Sequence, residues 1–183
     1  MNLANWISIF RVLLIPFFVG SIIYCSPQKD YLRFLAVGIF LAAGISDVLD
    51  GYIARTRNMQ TKLGSFLDPL ADKLLLSASF IVLAFANSIS FKIRLPIWVL
   101  ILFISRDVIL ALGSLLVHLT TSNLKIEPSI WGKLTTFSQM ATVIGILLQF
   151  SYSFLLWDVA AVITVASGLD YIYKSNRLLS AGK

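Results

Sequence analysis

Long apolar stretches separated by short polar connections make up most of this chain. Six of the stretches approach or exceed the roughly 20 residues that a helix needs to cross a hydrocarbon core. They are Asn5–Cys25, Tyr31–Arg55, Ser65–Ala86, Pro96–His118, Ser129–Phe150 and Ser153–Lys174. The connections, such as "SPQKD" and "TTSNLKIEP", are rich in turn-forming residues. The pattern predicts an all-α integral membrane protein with six transmembrane helices.

The first ten residues, "MNLANWISIF", allow two interpretations. They either begin the first transmembrane helix or form a short N-terminal interfacial helix, since Trp6 is a residue type that lies at the headgroup level. No repeat, low-complexity tract or long linker divides the rest of the chain. We therefore expect residues 1–183 to form a single membrane domain.

Composition agrees with a membrane environment. The chain is 58% hydrophobic and 13% charged, whereas soluble domains average about 25% charged residues. The net charge of +6 is typical of basic loops that face an anionic leaflet, and no motif for binding nucleic acid is present. A lone cysteine, Cys25, excludes an internal disulfide.

The distribution of Lys and Arg predicts the orientation in the membrane, because cytoplasmic loops carry an excess of these residues. Nine of them lie at one set of loops and helix ends: Arg55, Arg57, Lys62, Lys73, Lys125, Lys133, Lys174, Arg177 and Lys183. The opposite side has four: Lys29, Arg33, Lys92 and Arg94. We therefore expect a multi-pass protein with both termini in the cytoplasm.

Four of the nine carboxylates lie close together on the predicted cytoplasmic side, in the segment "SDVLDGYIARTRNMQTKLGSFLDPLADK". Asp47 and Asp50 are three residues apart, and Asp68 and Asp72 are four apart, so each pair shares one face of a helix. The first pair closes the second stretch and the second pair opens the third. We expect the four carboxylates to converge near the cytoplasmic mouth of a helix bundle.

Four unpaired anions at a membrane boundary would repel one another, and divalent cations would remove that repulsion. Oxygen ligands suit Mg²⁺ or Mn²⁺, and two such ions roughly 3.5–4 Å apart form the clamp used in phosphate chemistry. Arg55, Gly51 and Gly64 fit a site where a guanidinium and the backbone approach a phosphate. Taken singly, each Asp could instead face water or pair with a basic loop.

Two other classes of protein also place carboxylates in membrane helices. A cation transporter needs polar residues across the whole bilayer, but "LLLSASFIVLAF" after Asp72 offers almost none. A purely structural membrane protein leaves the spacing of the four Asp unexplained. A membrane enzyme with metal-assisted phosphate chemistry accounts for both observations.

The spacing also carries a resemblance to a known family. The run Asp47-x2-Asp50-Gly51-x2-Ala54-Arg55-x8-Gly64-x3-Asp68-x3-Asp72 resembles the signature of the CDP-alcohol phosphatidyltransferases at all eight positions. "NWISIFR" is similar to the family's opening Asn-x2-Thr-x2-Arg, with Ser8 in place of Thr and Ala4 where proline often precedes Asn5. "SRDV" and "GKLTTFSQ" resemble later motifs of the bacterial glycerophospholipid branch.

The resemblance implies a homodimer of six-helix subunits in the bacterial inner membrane, with a cavity open to the cytoplasm. Its implied activity is transfer of a phosphatidyl group from CDP-diacylglycerol to an alcohol, with release of CMP. By position, Asp47, Asp50, Asp68 and Asp72 would surround two divalent cations, Mg²⁺ or Mn²⁺, and Asp72 would be the general base. The CDP part of the donor would be bound by Asn5, Asp50, Gly51, Arg55 and Gly64.

Two basic residues favour an anionic acceptor. Arg106 lies near the middle of the fourth stretch, where a charged residue normally faces a cavity or a partner such as Asp107. Lys133 begins the fifth stretch on the cytoplasmic side, where headgroup contact is the alternative role. We expect both to bind sn-glycerol-3-phosphate. "SRDVILALGSLLV" lacks the further Arg usual in that branch and resembles the CMP-forming cardiolipin synthases, so phosphatidylglycerol is the alternative acceptor.

Overall fold

The computed structural model describes residues 3–56, 64–86, 93–120 and 130–181, and side chains within 9–46, 71–86, 93–113 and 130–174. These ranges contain six α-helices and no strand. The helices are α1 Leu3–Ile23, α2 Tyr31–Thr56, α3 Gly64–Phe85, α4 Ile97–Thr120, α5 Ile130–Leu147 and α6 Ser153–Ala181. Each coincides with one predicted apolar stretch, so the all-α class is confirmed.

The N-terminal residues do not form a helix of their own. Helix α1 begins at Leu3 and runs without a break to Ile23. No glycine or proline occurs between Leu3 and Ile15 to interrupt it. The alternative of a separate interfacial helix is therefore wrong for the part of the N-terminus that the structure describes.

The chain forms two compact units, of which the first comprises Met1–Arg94 and Ile146–Phe150. In this unit α1 packs against both α2 and α3, and α2 also contacts α3. The rings of Phe18 on α1 and Phe40 on α2 meet with centroids 5.8 Å apart. Helix α1 is thus a neighbour of both helices that carry the acidic signature.

Arg33, in the first turn of α2, forms hydrogen bonds with two neighbouring residues of the first unit. Its guanidinium donates two hydrogen bonds to the Asp30 carboxylate, at 2.9 and 2.8 Å. Nη1 donates a third, of 3.4 Å, to the carbonyl oxygen of Leu147, the last residue of α5. Because Leu147 ends α5, the Arg33 guanidinium lies at the C-terminal end of that helix, where a cation interacts favourably with the helix dipole.

The second unit comprises Leu95–Gly145 and Ser151–Lys183, and within it α4 packs against α6. Gly113 on α4 lies against the ring of Tyr171 on α6: a Cβ atom at Gly113 would be 2.7 Å from Cε1 and 2.9 Å from the hydroxyl oxygen. The absence of a side chain at Gly113 therefore allows the two helices to approach this closely.

Replacing Gly113 by Ala is expected to destabilise the protein by about 1–3 kcal/mol, because a rigid ring cannot yield to the added methyl group. The check is thermal unfolding in detergent. Gly168→Ala on α6 is the control: nothing lies within 4 Å of a Cβ there, and alanine favours a helix. A melting temperature of Gly113→Ala equal to or above that of Gly168→Ala would contradict the prediction.

Several buried hydroxyl groups inside the helices are hydrogen-bonded within their own helix. Buried Ser79, Thr135 and Thr164 donate hydrogen bonds to carbonyl oxygens four residues earlier, at 2.7, 2.8 and 2.6 Å. Large apolar side chains face outward instead, with Phe17 and Phe137 68% and 73% exposed. These features suit an apolar solvent, in which hydroxyl groups need partners inside the protein.

One stretch among the described residues, Ser153–Lys174, is a helix both long and apolar enough to cross a bilayer. Ile9–Ile23 and Tyr31–Ser46 are apolar helical stretches of shorter length. Ser153–Lys174 is identified as a candidate span from its length and its apolar composition alone. The six predicted transmembrane spans are therefore six helices here, with one clear span among the described ranges.

Candidate active site

The acidic signature lies on two helices of the first unit. Asp47 and Asp50 belong to α2, and Asp68 and Asp72 belong to α3. The backbone is helical around each pair, as their spacing predicts. The side chains of Asp47, Asp50 and Asp68 lie outside those that the structure describes, so the convergence of the four carboxylates stays a prediction.

Asp72 is the member of the signature whose side chain is described. Its Oδ1 atom accepts a hydrogen bond of 2.5 Å from Nη1 of Arg11 on α1. Arg11 is 1% exposed and the Asp72 side chain is 25% exposed. An ion pair therefore joins α3 to α1. Its guanidinium group is buried, whereas its carboxylate group is partly exposed to solvent.

The predicted donor-binding residues fall on the same three helices. Asn5 lies on α1, Gly51 and Arg55 lie near the end of α2, and Gly64 is the first residue of α3. Gly51 is inside a helix, because α2 continues to Thr56. The side chains of Asn5 and Arg55 lie outside the described ones, so binding of the CDP group by these residues remains a prediction.

Arg106, predicted to bind the acceptor, lies on α4 in the second unit and is 7% exposed. Its Nη1 atom donates a 2.8 Å hydrogen bond to Oδ1 of Asp107, and Nη2 donates one of 2.6 Å to Oγ of Ser167 on α6. The buried Nε atom has no hydrogen-bond partner among the described residues. Arg106 thus has the pairing with Asp107 that its position in the sequence suggests, plus a link to α6.

Lys133, the second predicted acceptor residue, is exposed in the first turn of α5. The preceding residue, Gly132, lies beside Arg106: a Cβ atom at Gly132 would be 3.6 Å from Arg106 Nη2. The structure therefore brings the first turn of α5 next to the guanidinium that the sequence singled out.

Two contacts, one in each unit, were not predicted. Arg11 ends the motif "NWISIFR", and an arginine inside an apolar stretch is itself a signal for a buried partner. Ser167 carries no such signal, because serine is common in membrane helices. Both contacts join residues that are 61 positions apart in the sequence.

Comparison with known proteins agrees with the signature. The sequence model of the CDP-alcohol phosphatidyltransferase family matches residues 1–167. A CDP-diacylglycerol--glycerol-3-phosphate 3-phosphatidyltransferase of Haemophilus influenzae is 37% identical, covering 93% of this chain and 91% of that protein. The protein of the same name from Bacillus subtilis is 35% identical over 95% of both chains. A probable phosphatidylglycerophosphate synthase of Mycobacterium tuberculosis is 31% identical, covering 96% of this chain and 82% of that protein. The predicted resemblance is confirmed, and the chain belongs to the CDP-alcohol phosphatidyltransferase family.

Proposed function

We propose that this protein transfers the phosphatidyl group of CDP-diacylglycerol to sn-glycerol-3-phosphate, forming phosphatidylglycerophosphate for phospholipid biosynthesis and releasing CMP. The observation that carries the proposal is the eight-position signature from Asp47 to Asp72 on α2 and α3. It occurs in a chain that matches relatives named for this reaction along more than nine-tenths of its length.

The four carboxylates of the signature are suitable ligands for divalent cations. Asp47, Asp50, Asp68 and Asp72 supply only carboxylate oxygens, which Mg²⁺ and Mn²⁺ prefer. The Asp72 carboxylate is partly open to solvent, so an ion can reach it from water. We assign two divalent cations to these four residues. When bound, such ions neutralise the negative charge that develops on a departing phosphate group.

The remaining signature residues suit binding of the donor. Arg55 can form two parallel hydrogen bonds with a phosphate, and the glycines at positions 51 and 64 leave room for close approach of the backbone. Together with Asn5 and Asp50 they are assigned to the CDP group. Their positions on α1, α2 and α3, which pack against one another, support a shared role.

Asp72 is assigned the role of general base. Its carboxylate takes the proton of the acceptor hydroxyl, and the acceptor oxygen forms a bond to the phosphorus that bears the diacylglycerol. The bond from that phosphorus to the CMP oxygen breaks, and CMP leaves with the electron pair. This sequence of bond changes yields the new phosphodiester and requires no covalent intermediate with the protein.

Arg106 and Lys133 are assigned to the phosphate of the acceptor. Arg106 is held by Asp107 and Ser167, so its guanidinium is fixed before an acceptor binds. The ammonium group of Lys133 is exposed and can meet an anion from water. Both groups are typical ligands of phosphate oxygens.

Replacing Lys133 by Gln is expected to raise KM for sn-glycerol-3-phosphate roughly five- to tenfold, the effect of losing one charge-assisted hydrogen bond. KM for CDP-diacylglycerol and the melting temperature should not change. Lys174→Gln is the matched control, because this exposed lysine pairs with Asp170 at 2.8 Å on α6. Equal effects of the two substitutions on KM would contradict the assignment.

We also propose that all six helices cross the bacterial inner membrane, with the termini and the active site in the cytoplasm. The Lys and Arg distribution, the outward-facing apolar side chains and family membership support this placement. We propose a single domain of residues 1–183, since no long linker divides the chain, and a homodimer among membrane lipids, as the resemblance implies.

One sequence feature favours a second acceptor. The run after Arg106 lacks a further arginine and is similar to that of CMP-forming cardiolipin synthases, which use phosphatidylglycerol. Relatives that match more than nine-tenths of this chain are named for glycerol-3-phosphate instead. Glycerol-3-phosphate is therefore the acceptor that we propose.

The test is a product assay with purified protein. CDP-diacylglycerol and Mn²⁺ or Mg²⁺ are supplied with sn-glycerol-3-phosphate, phosphatidylglycerol, serine or inositol separately, and the lipid product is identified by mass. Of the four alcohols, we expect only sn-glycerol-3-phosphate to support turnover. Turnover only with phosphatidylglycerol would overturn the choice of acceptor. Absence of CMP release with every alcohol would overturn the enzyme class and leave the cation transporter as the alternative.

A further inference from the structure

The ion pair between Arg11 and Asp72 gives α1 a part in the active site. We infer that Arg11 is a positioning residue, which holds the Asp72 carboxylate in the orientation that proton transfer and cation binding require. The inference rests on the proposed function, in which Asp72 is both the general base and a cation ligand. Arg11 is not one of the eight positions of the signature.

Arg11 is buried, and the Asp72 carboxylate is an anionic partner that compensates its charge. The arginine is 1% exposed and lies in an apolar part of α1, where an uncompensated guanidinium is strongly unfavourable. The other described Arg–Asp pair of this unit, Arg33 with Asp30, is local, between residues three positions apart. Arg11 instead reaches a different helix, 61 residues further along the chain.

The geometry of the contact restricts the carboxylate. A hydrogen bond from Nη1 to Oδ1 limits rotation of the Asp72 carboxyl group, so it also determines where Oδ2 points. Because α1 packs against α2 and α3, Arg11 is held relative to both helices that carry the acidic residues. A planar guanidinium keeps its direction in such a contact, whereas the ammonium of a lysine is a point charge on a flexible chain.

The expected consequence is specific to the chemical step. Residues that orient a metal ligand typically contribute about 10–100-fold in affinity or activity, and small misplacements of a reacting group are costly. A merely structural ion pair would affect the amount of folded protein and leave each folded molecule fully active. The two roles can therefore be separated by measuring activity per folded molecule.

The experiment compares Arg11→Lys and Arg11→Met with wild type in the purified full-length protein. Three quantities are measured: thermal unfolding, kcat and KM for both substrates, and the Mn²⁺ concentration that gives half of the maximal thermal stabilisation. Arg33→Lys is the matched control, since it alters an Arg–Asp pair of the same unit outside the proposed site.

For Arg11→Lys we expect cooperative unfolding, a loss in kcat per folded molecule of about 10–100-fold, and a half-stabilising Mn²⁺ concentration raised by about tenfold. KM for sn-glycerol-3-phosphate should change by less than about twofold, since Arg11 is not assigned to the acceptor. Arg11→Met should show the same or a larger loss. Arg33→Lys should keep the wild-type kcat and the wild-type response to Mn²⁺.

Wild-type kcat per folded molecule and an unchanged Mn²⁺ response in Arg11→Lys would overturn the inference. Failure of both Arg11 variants to fold would overturn it as well, because it would assign Arg11 to folding. The Mn²⁺ titration needs no turnover, so it tests Arg11 even if wild type released no CMP, the result that would refute the proposed function itself.

Discussion

Asp72→Asn is expected to lower the rate of CMP release from CDP-diacylglycerol by roughly a thousandfold or more, because the variant lacks the carboxylate that we propose as general base and cation ligand. Asparagine keeps the shape of the side chain. It cannot accept the proton of the acceptor hydroxyl, and it has no negative charge to balance the charge of a bound cation. It also removes the carboxylate that accepts a hydrogen bond from Arg11, which is 1% exposed. A buried ion pair that loses one partner costs about 3–5 kcal/mol, and an amide oxygen that still accepts a hydrogen bond recovers part of this.

The assay must separate these two effects, so activity is expressed per folded molecule from thermal unfolding. Asp68→Asn is expected to lose a comparable share of the activity, since Asp68 is assigned to the same cations. Asp158→Asn is the isosteric control, because Asp158 is exposed on α6 and has no assigned role. Activity of folded Asp72→Asn above about a tenth of wild type would contradict the role of a general base.

Removal of divalent cations with a chelator is expected to abolish turnover, and Mg²⁺ or Mn²⁺ should restore it. Carboxylates that converge as predicted would repel one another, so bound cations should also stabilise the fold. At a concentration of 100 times the dissociation constant, one site contributes about 2.7 kcal/mol. The check combines a CMP-release assay with melting temperatures measured across a Mn²⁺ titration.

The matched comparison for this prediction is Asp47→Asn against Asp158→Asn. The first should lose most of its response to Mn²⁺, whereas the second should respond as wild type does. Full turnover in excess chelator would contradict the assignment of divalent cations to the four Asp residues. An identical Mn²⁺ response in Asp47→Asn and wild type would contradict it as well.

The helices of this protein were predictable because their determinants are local. An apolar run of about twenty residues favours a helix, and turn residues end it, so all six predicted elements are present. Their ends differ from the predicted ones by at most three residues, except that α6 continues to Ala181, seven residues past Lys174. The first residues were ambiguous, since Trp6 fits both an interface and the start of a helix. The continuous α1 decides between the two.

The family was predictable for a related reason. The signature is a set of residue types at fixed spacings inside 26 residues of one segment, and the match to residues 1–167 agrees with it. The partners of the site residues were not predictable in this way. Arg106 could have paired with Asp107 alone, and its second contact, with Ser167 on α6, depends on how α4 and α6 pack.

The sequence by itself determined the class of fold, the family and the positions of the acidic pairs, because each depends on the order of residues within single segments. Only the tertiary structure decided that Arg11 meets Asp72 and that Arg106 meets Ser167. Such contacts depend on the rotation and tilt of each helix against its neighbours. Many side chains set those angles together, so no short pattern along the chain specifies them.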